Sequence, residues 1–140
     1  MKLTLPPGPF KAYLFDCDGT IADSMPLHFK SWNIALGEHG GHFPEDLFYA
    51  WAGMALPEQI ERLNQKFNLT MPITPVIDRK EESYFELLPE LEAIDSVVHH
   101  IHEQHKKIPF AVVSGSPRAS VAKSLEILGL TEYFPAIVAG

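Results

Sequence analysis

The sequence has 140 residues, 46% of them apolar and 21% charged, with a formal net charge of −7. Its length allows one hydrophobic core, or a small core with an insertion. The acidic balance and the absence of a Lys/Arg run argue against nucleic-acid binding through a basic face. No stretch approaches the ~18 apolar residues of a membrane span, and the single cysteine, Cys17, cannot form an internal disulfide. We therefore expect a cytoplasmic protein without a membrane or nucleic-acid partner.

The first predicted elements are a strand and a block of helices. Residues 11–16, KAYLFD, form a short apolar run that ends in a polar residue, as a buried parallel strand does. Residues 24–90 contain no convincing strand but three helical patterns, over 26–39, 57–67 and 75–88. A helical block between the first two strands of a sheet indicates an inserted lid.

The remaining elements alternate between helix and strand. Helical spacing of apolar residues over 91–106 precedes the strand-like run FAVVS at 110–114. A second helix over 117–128 leads to the run AIVA at 136–139. Strand, helix and strand in this order predict a right-handed crossover and a parallel sheet. We expect the helix over 91–106 to reach the sheet from the face opposite to the helix over 117–128.

The boundaries of the helix over 117–128 are marked by local signals. Ser116 stands at the expected N-cap, Pro117 suits the first helical position, and Gly129 suits the position after the last turn. The domain organisation that follows is a core over 1–23, a helical cap over 24–90 and the continued core over 91–140.

The segment that carries chemistry is FDCDGT, which begins at Phe15. Asp16 and Asp18 are two positions apart at the end of the first strand, so their side chains should face the same site. Open α/β sheets bind ligands at this carboxyl edge. A close pair of carboxylates repels unless a cation or a shared proton relieves it. The alternative interpretation of this pair is a capped turn with two solvated aspartates. In either case we expect the Cys17 side chain to point away from the two aspartates and to be buried and inert.

Two motifs resemble those of the haloacid-dehalogenase superfamily. The string FDCDGTIADS is similar to the first signature of these phosphatases, and VVSGS, ending at Ser116, is similar to the second. The helical block between them resembles the small cap of the β-phosphoglucomutase-like subfamily, so the resemblance covers nearly the whole chain. It implies an α/β fold with a Rossmann-like parallel sheet, of which about three strands are present, and an inserted α-helical cap.

The resemblance also implies roles for individual residues. Asp16 would attack phosphorus and form an aspartyl-phosphate, while Asp18 would act as general acid and then as general base. Mg²⁺ would be held by the Asp16 carboxylate and the Asp18 backbone carbonyl. The Ser114 hydroxyl and the Gly115 N–H would bind the phosphate. Because true dehalogenases lack the second aspartate, phosphoryl transfer is the expected chemistry.

Two cap residues complete the implied site. His28 lies twelve residues after Asp16, a spacing at which β-phosphoglucomutases place an active-site histidine, although a half-exposed histidine at a helix start is an equal alternative. Gly53 would line the entrance or only permit a tight turn. The loop 52–56, AGMAL, has no arginine where the mutases bind a second phosphate, which favours a plain phosphatase.

The family's third and fourth signatures, a lysine and an acidic pair, do not occur in the sequence. We therefore expect the chain to be the N-terminal part of a longer, monomeric phosphatase and to be nearly inactive alone. The expected substrate is a small phosphorylated metabolite, with sugar phosphates first. The alternatives are a β-phosphoglucomutase-like phosphomutase, or a non-catalytic phosphate-binding module if the chain is naturally this short.

Overall fold

The computed structural model describes residues 3–140, which form two compact units. One unit comprises the residues up to Met25 together with Pro89–Gly140, and the other is Pro26–Leu88. The helices in the described part of the chain are too short or too polar to cross a bilayer.

A parallel sheet forms the centre of the first unit. Its strands are β1 (Tyr13–Phe15), β2 (Phe110–Val113) and β3 (Ala136–Val138), hydrogen-bonded in the order β1-β2-β3. All pairs are parallel, with Phe15 level with Val112 and Val112 level with Ile137. The α/β class and the parallel sheet expected from the sequence are confirmed, and the strands lie within the predicted runs.

Helices make up most of the remaining chain. Within residues 3–140 they are α1 (Met25–Gly37), α2 (Glu45–Ala50), α3 (Leu56–Phe67), α4 (Ile73–Leu87), α5 (Asp95–Gln104) and α6 (Arg118–Ile127). Short 3₁₀ turns at Leu88–Glu90 and Thr131–Tyr133 precede α5 and β3. The three helical patterns predicted for the insertion correspond to α1, α3 and α4. The sequence analysis missed α2, because six residues are too few to show a helical period.

The two helices of the first unit lie on one face of the sheet. His100 of α5 packs edge-on against the ring of Tyr13 at 5.0 Å, and Phe134, beyond α6, packs against Phe15 at 5.5 Å. The opposite face is open, with Leu14 70% exposed. The expectation that α5 and α6 lie on opposite faces is therefore wrong. Both crossovers advance in the same direction across the sheet, and right-handed crossovers of that kind place their helices on the same side.

The second unit has its own apolar core, which explains why its helices fold together. Trp32 of α1 and Phe48 of α2 both pack edge-on against Phe43, at 5.7 and 5.6 Å between ring centroids. From α3, Ile60 and Leu63 are fully buried. Helices α3 and α4 are neighbours in this unit.

Candidate active site

A tight turn after β1 holds the two aspartates in place. The Cys17 carbonyl accepts hydrogen bonds from the backbone N–H groups of Thr20, Ile21 and Ala22 at 3.2, 2.9 and 3.0 Å. The Gly19 N–H donates to the Ala22 carbonyl at 2.8 Å, and Gly19 has a φ of 72°, which glycine adopts without steric cost. The sequence D-x-D-G-T thus folds as a closed turn whose backbone donors are largely used within the turn.

Residues 16–18, which we call the acid segment, differ in their exposure to solvent. Asp16 is exposed, Cys17 is fully buried and Asp18 is partly buried. The Thr20 hydroxyl donates to Asp16 Oδ2 at 3.5 Å, a long hydrogen bond that leaves the carboxylate accessible. The alternation agrees with the expectation that Cys17 points away from its neighbours. Asp16 therefore lies at the carboxyl edge of the sheet with its carboxylate open to solvent.

Asp18 is oriented by a residue that follows the neighbouring strand. The Ser116 hydroxyl donates a short hydrogen bond to Asp18 Oδ2, with 2.6 Å between the two oxygen atoms. The Ser116 N–H donates to Ser114 Oγ at 3.1 Å. One residue therefore links the second aspartate to the serine expected to bind phosphate.

Ser116 does not cap the helix, so the expectation of an N-cap at this position is wrong. The N-cap of α6 is Pro117, which has no side chain that can accept a hydrogen bond. The Ser116 hydroxyl is used by Asp18 instead, and this role was missed. A sequence signal existed: the residue two positions after Ser114 can share its side of an extended segment. Gly129 does follow α6 with a φ of 67°, as predicted.

Ser114 and Gly115 lie where β2 meets the end of β3. The Ser114 N–H donates to the Val138 carbonyl at 2.9 Å, and the Gly140 N–H donates to the Ser116 carbonyl at 3.1 Å. Because Ser114 Oγ accepts from Ser116, its own proton can be donated to another group. Gly115 is exposed, and an added Cβ would have no atom within 4 Å. The backbone here is accessible to an anion.

Burial and charge suppress the chemistry of Cys17. Burial, with further contributions from the charges of Asp18 and Asp16, raises the pKa of the thiol from 9.0 to about 12. A thiol is a weak nucleophile compared with its thiolate. Cys17 therefore stays protonated and neutral at physiological pH.

The oxygen donors near Asp16 suit a hard cation but form only part of a shell. Among residues 3–140, no three His, Cys, Asp or Glu side chains converge on a possible metal position. Mg²⁺ is commonly bound through one or two carboxylates, with waters and substrate phosphate as its other ligands. The exposed carboxylate of Asp16 fits that pattern. The Asp18 backbone carbonyl is the second protein oxygen that the family resemblance implies, and this role stays a prediction.

His28 belongs to a cluster within the second unit. Its ring stacks on Tyr84 at 4.0 Å, with 5° between the ring planes. Its Nδ1 lies 3.2 Å from Nζ of Lys80, a lysine that is only 3% exposed and also contacts Glu81 Oε1 at 2.8 Å. An ammonium group can only donate, so Nδ1 is the acceptor in this hydrogen bond. Sequence reasoning missed Lys80, because no local pattern pairs positions 52 residues apart.

Gly53, the other cap residue expected to contact substrate, lies in the turn between α2 and α3. Its φ is 84°, and no atom would lie within 4 Å of an added Cβ. The positive φ supports the interpretation that glycine permits this turn. A contact with substrate stays a prediction for both Gly53 and His28.

Comparison with known proteins identifies relatives of this chain. A fructose-1-phosphate phosphatase of Escherichia coli K12 is 32% identical over 133 residues, which are 93% of this chain and 69% of that protein. A phosphorylated carbohydrates phosphatase of Thermotoga maritima is 28% identical over 134 residues, covering 93% of this chain and 61% of that protein. The chain thus spans about three fifths to two thirds of the length of these relatives.

Solved structures share the fold. A hydrolase from Deinococcus radiodurans, crystallised with phosphate and sodium, is 25% identical with a TM-score of 0.75, covering 94% of this chain and 58% of that one. A predicted phosphoglycolate phosphatase from Haemophilus somnus, at 21% identity, has a TM-score of 0.84 and covers 94% and 63%. Residues 13–140 match the model of the family described as haloacid dehalogenase-like hydrolase. The family expected from the two motifs is confirmed: the chain belongs to the haloacid dehalogenase-like hydrolases.

Proposed function

We propose that this chain provides the nucleophile and the general acid–base group of a Mg²⁺-dependent phosphatase that acts on small phosphorylated metabolites. The observation that carries the proposal is the accessible Asp16 carboxylate at the end of β1, beside an Asp18 carboxylate fixed by Ser116. Two relatives are named as phosphatases of phosphorylated carbohydrates and of fructose 1-phosphate, which supports sugar phosphates as the substrate class.

The reaction proceeds in two displacements at phosphorus. An Asp16 oxygen attacks, and the bond from phosphorus to the alkoxide leaving group breaks while Asp18 donates its proton to that oxygen. In the second step Asp18 takes a proton from water, the water oxygen attacks phosphorus, and the bond to Asp16 breaks to release inorganic phosphate. Dividing hydrolysis in this way replaces one difficult step by two easier ones. The Ser116 hydroxyl keeps the Asp18 carboxyl in position for both proton transfers.

The anionic substrate needs positive charge and hydrogen-bond donors at this acidic edge. Ser114 supplies its hydroxyl proton and Gly115 its backbone N–H to the phosphate oxygens. Mg²⁺, when bound by Asp16 and the Asp18 carbonyl, would supply charge that offsets repulsion between carboxylate and phosphate. The family's third signature, a lysine, and its fourth signature, an acidic pair, do not occur in the sequence. We therefore expect residues 1–140 alone to hydrolyse phosphomonoesters very slowly.

The test uses the protein expressed from its own gene and a panel of sugar phosphates with Mg²⁺. Asp16→Asn should abolish phosphate release and prevent the mass increase of one phosphoryl group that trapping with substrate produces. Asp23→Asn is the matched control, because Asp23 is an exposed aspartate of the same unit outside the pair. Phosphate release by Asp16→Asn at the wild-type rate would refute the assignment of the nucleophile.

A phosphomutase is the second candidate. The apolar loop that contains Gly53 has no arginine for a second phosphate, so we expect release of phosphate in place of isomerisation. Formation of an isomeric sugar phosphate without free phosphate would favour the mutase. Binding of inorganic phosphate that is equal in wild type and Asp16→Asn, without turnover in either, would favour a non-catalytic binding module. The monomeric state and the cytoplasmic location stay predictions.

A further inference from the structure

The contact between Ser116 and Asp18 joins two segments that lie 98 positions apart in the chain. Both residues are half-buried, and the 2.6 Å between their oxygen atoms lies at the short end of the range for O–H···O hydrogen bonds. Ser116 follows β2 and Asp18 follows β1, which are neighbouring strands of the sheet. The contact is therefore a product of the folded sheet edge and not of local sequence.

The backbone of Ser116 is held in place by its surroundings. Its N–H donates to Ser114 Oγ at 3.1 Å, and its carbonyl accepts from the Gly140 N–H at 3.1 Å. Pro117 comes next, and the residue before a proline is restricted to extended conformations. The hydroxyl therefore reaches Asp18 from a backbone that has little freedom to move, as a group that orients another side chain requires.

This hydrogen bond makes the two oxygens of the Asp18 carboxyl group different. Ser116 donates to Oδ2. In a protonated carboxyl group the oxygen that carries the proton acts as a donor, and the other oxygen is the better acceptor. When Asp18 is protonated, a hydroxyl that donates to Oδ2 therefore favours the tautomer with the proton on Oδ1.

We propose that Ser116 is a positioning residue that makes Oδ1 of Asp18 the oxygen that exchanges protons with substrate and water. The inference rests on the proposed phosphatase function. In the first step the Oδ1 proton moves to the leaving alkoxide, while the bond from Asp16 to phosphorus forms and the bond to the alkoxide breaks. In the second step Oδ1 takes a proton from the attacking water, while the bond from phosphorus to Asp16 breaks. Ser116 keeps its own proton and donates to Oδ2 in both steps.

The choice of leaving group separates this role from a purely structural one. A sugar alkoxide is strongly basic and needs a proton as it leaves, whereas p-nitrophenolate is weakly basic and leaves without one. A residue that directs the Asp18 proton therefore matters for fructose 1-phosphate and matters little for p-nitrophenyl phosphate. A defect in the fold or in phosphate binding would affect both substrates.

The experiment measures kcat and KM for both substrates with Mg²⁺ and the protein expressed from its own gene. Ser116→Ala should lower kcat/KM for fructose 1-phosphate about tenfold or more, through kcat, and that for p-nitrophenyl phosphate less than about threefold. Ser116→Thr, which keeps a hydroxyl, should restore most of the lost activity, whereas Ser116→Val, of the same shape, should not. Ser120→Ala is the matched control, since Ser120 is a half-buried serine of the same unit outside this contact. Equal losses with both substrates, or no loss with fructose 1-phosphate, would overturn the proposal.

A double-mutant cycle tests whether Ser116 acts through Asp18. In the Asp18→Asn background, Ser116→Ala should cause no further loss with fructose 1-phosphate, because the proton that it positions is already missing; a further loss of about tenfold would contradict the proposal. If Ser116→Ala does not fold, as judged by circular dichroism, Ser116→Cys provides the same comparison of substrates through its weak S–H donor. Turnover of both substrates by Asp16→Asn at the wild-type rate would refute the proposed function itself, and this inference with it.

Discussion

The ionisation of Cys17 gives a quantitative test of how the acid segment is built. The thiol lies between the two aspartates and is fully buried in the turn after β1. Burial first, and then the charges of Asp18 and Asp16, raise its pKa from 9.0 to about 12 in the folded protein. The replacement Cys17→Ala removes this titration and leaves the other groups that titrate at alkaline pH unchanged. The comparison of the two proteins therefore isolates the thiol.

The magnitude follows from linkage between protonation and folding. The folded thiol holds its proton more tightly than the unfolded thiol, so its contribution to stability is complete below pH 9 and is lost as the pH rises towards 12. At pH 10 the unfolded thiol is mostly ionised and the folded thiol is not, which costs ~1 to 2 kcal/mol, or roughly tenfold in the unfolding equilibrium. Relative to Cys17→Ala, the wild type should lose that amount between pH 7 and 10.

The assay is urea unfolding of both proteins at pH 7 and pH 10, followed by circular dichroism. Creation of a cavity makes Cys17→Ala less stable at pH 7 by an amount that does not depend on pH, and this gap should narrow at pH 10. An unchanged gap would mean that the thiol ionises equally in both states and that the buried turn is wrong. Alkylation gives a second readout, since at pH 8 the folded protein should contain about a thousandfold less thiolate than the unfolded chain.

Three substitutions test other local features, each by urea unfolding. Ser116→Ala removes the hydroxyl that donates to Asp18 and should cost about 1 to 2 kcal/mol; a cost near zero would show that this hydrogen bond is not formed in solution. Gly129→Ala forces alanine into a φ of 67° and should cost about 1 kcal/mol, whereas Gly37→Ala, which needs no positive φ, should be neutral or stabilising; equal effects would contradict the reasoning. Asn64→Ala removes hydrogen bonds to the carbonyl and N–H of residue 71 at 3.0 and 2.9 Å, and should cost about 1 to 3 kcal/mol. A loss below about 0.5 kcal/mol would mean that water replaces both.

The sequence by itself determined the class of fold, the family and the acid segment. Short apolar runs specified the strands, because a buried strand leaves a local hydrophobic signal. The pattern D-x-D-G-T located Asp16 and Asp18 at a strand end, since alternation along a strand and the glycine turn are both local properties. The position of Gly129 after the last turn of α6 was predicted correctly, because the signal that ends a helix is also local. The catalytic and binding roles of these residues remain predictions until activity is measured.

The tertiary structure decided what depends on residues far apart in the chain. Ser116 was assigned to the helix that follows it, but its hydroxyl binds Asp18, 98 positions away. Lys80 reaches His28 across 52 positions within the second unit. The face on which α5 packs followed from the order of the strands, which no local pattern encodes. Hydrogen bonds and faces of this kind are set when distant segments meet, so the open face beside Leu14 became visible only in the folded chain.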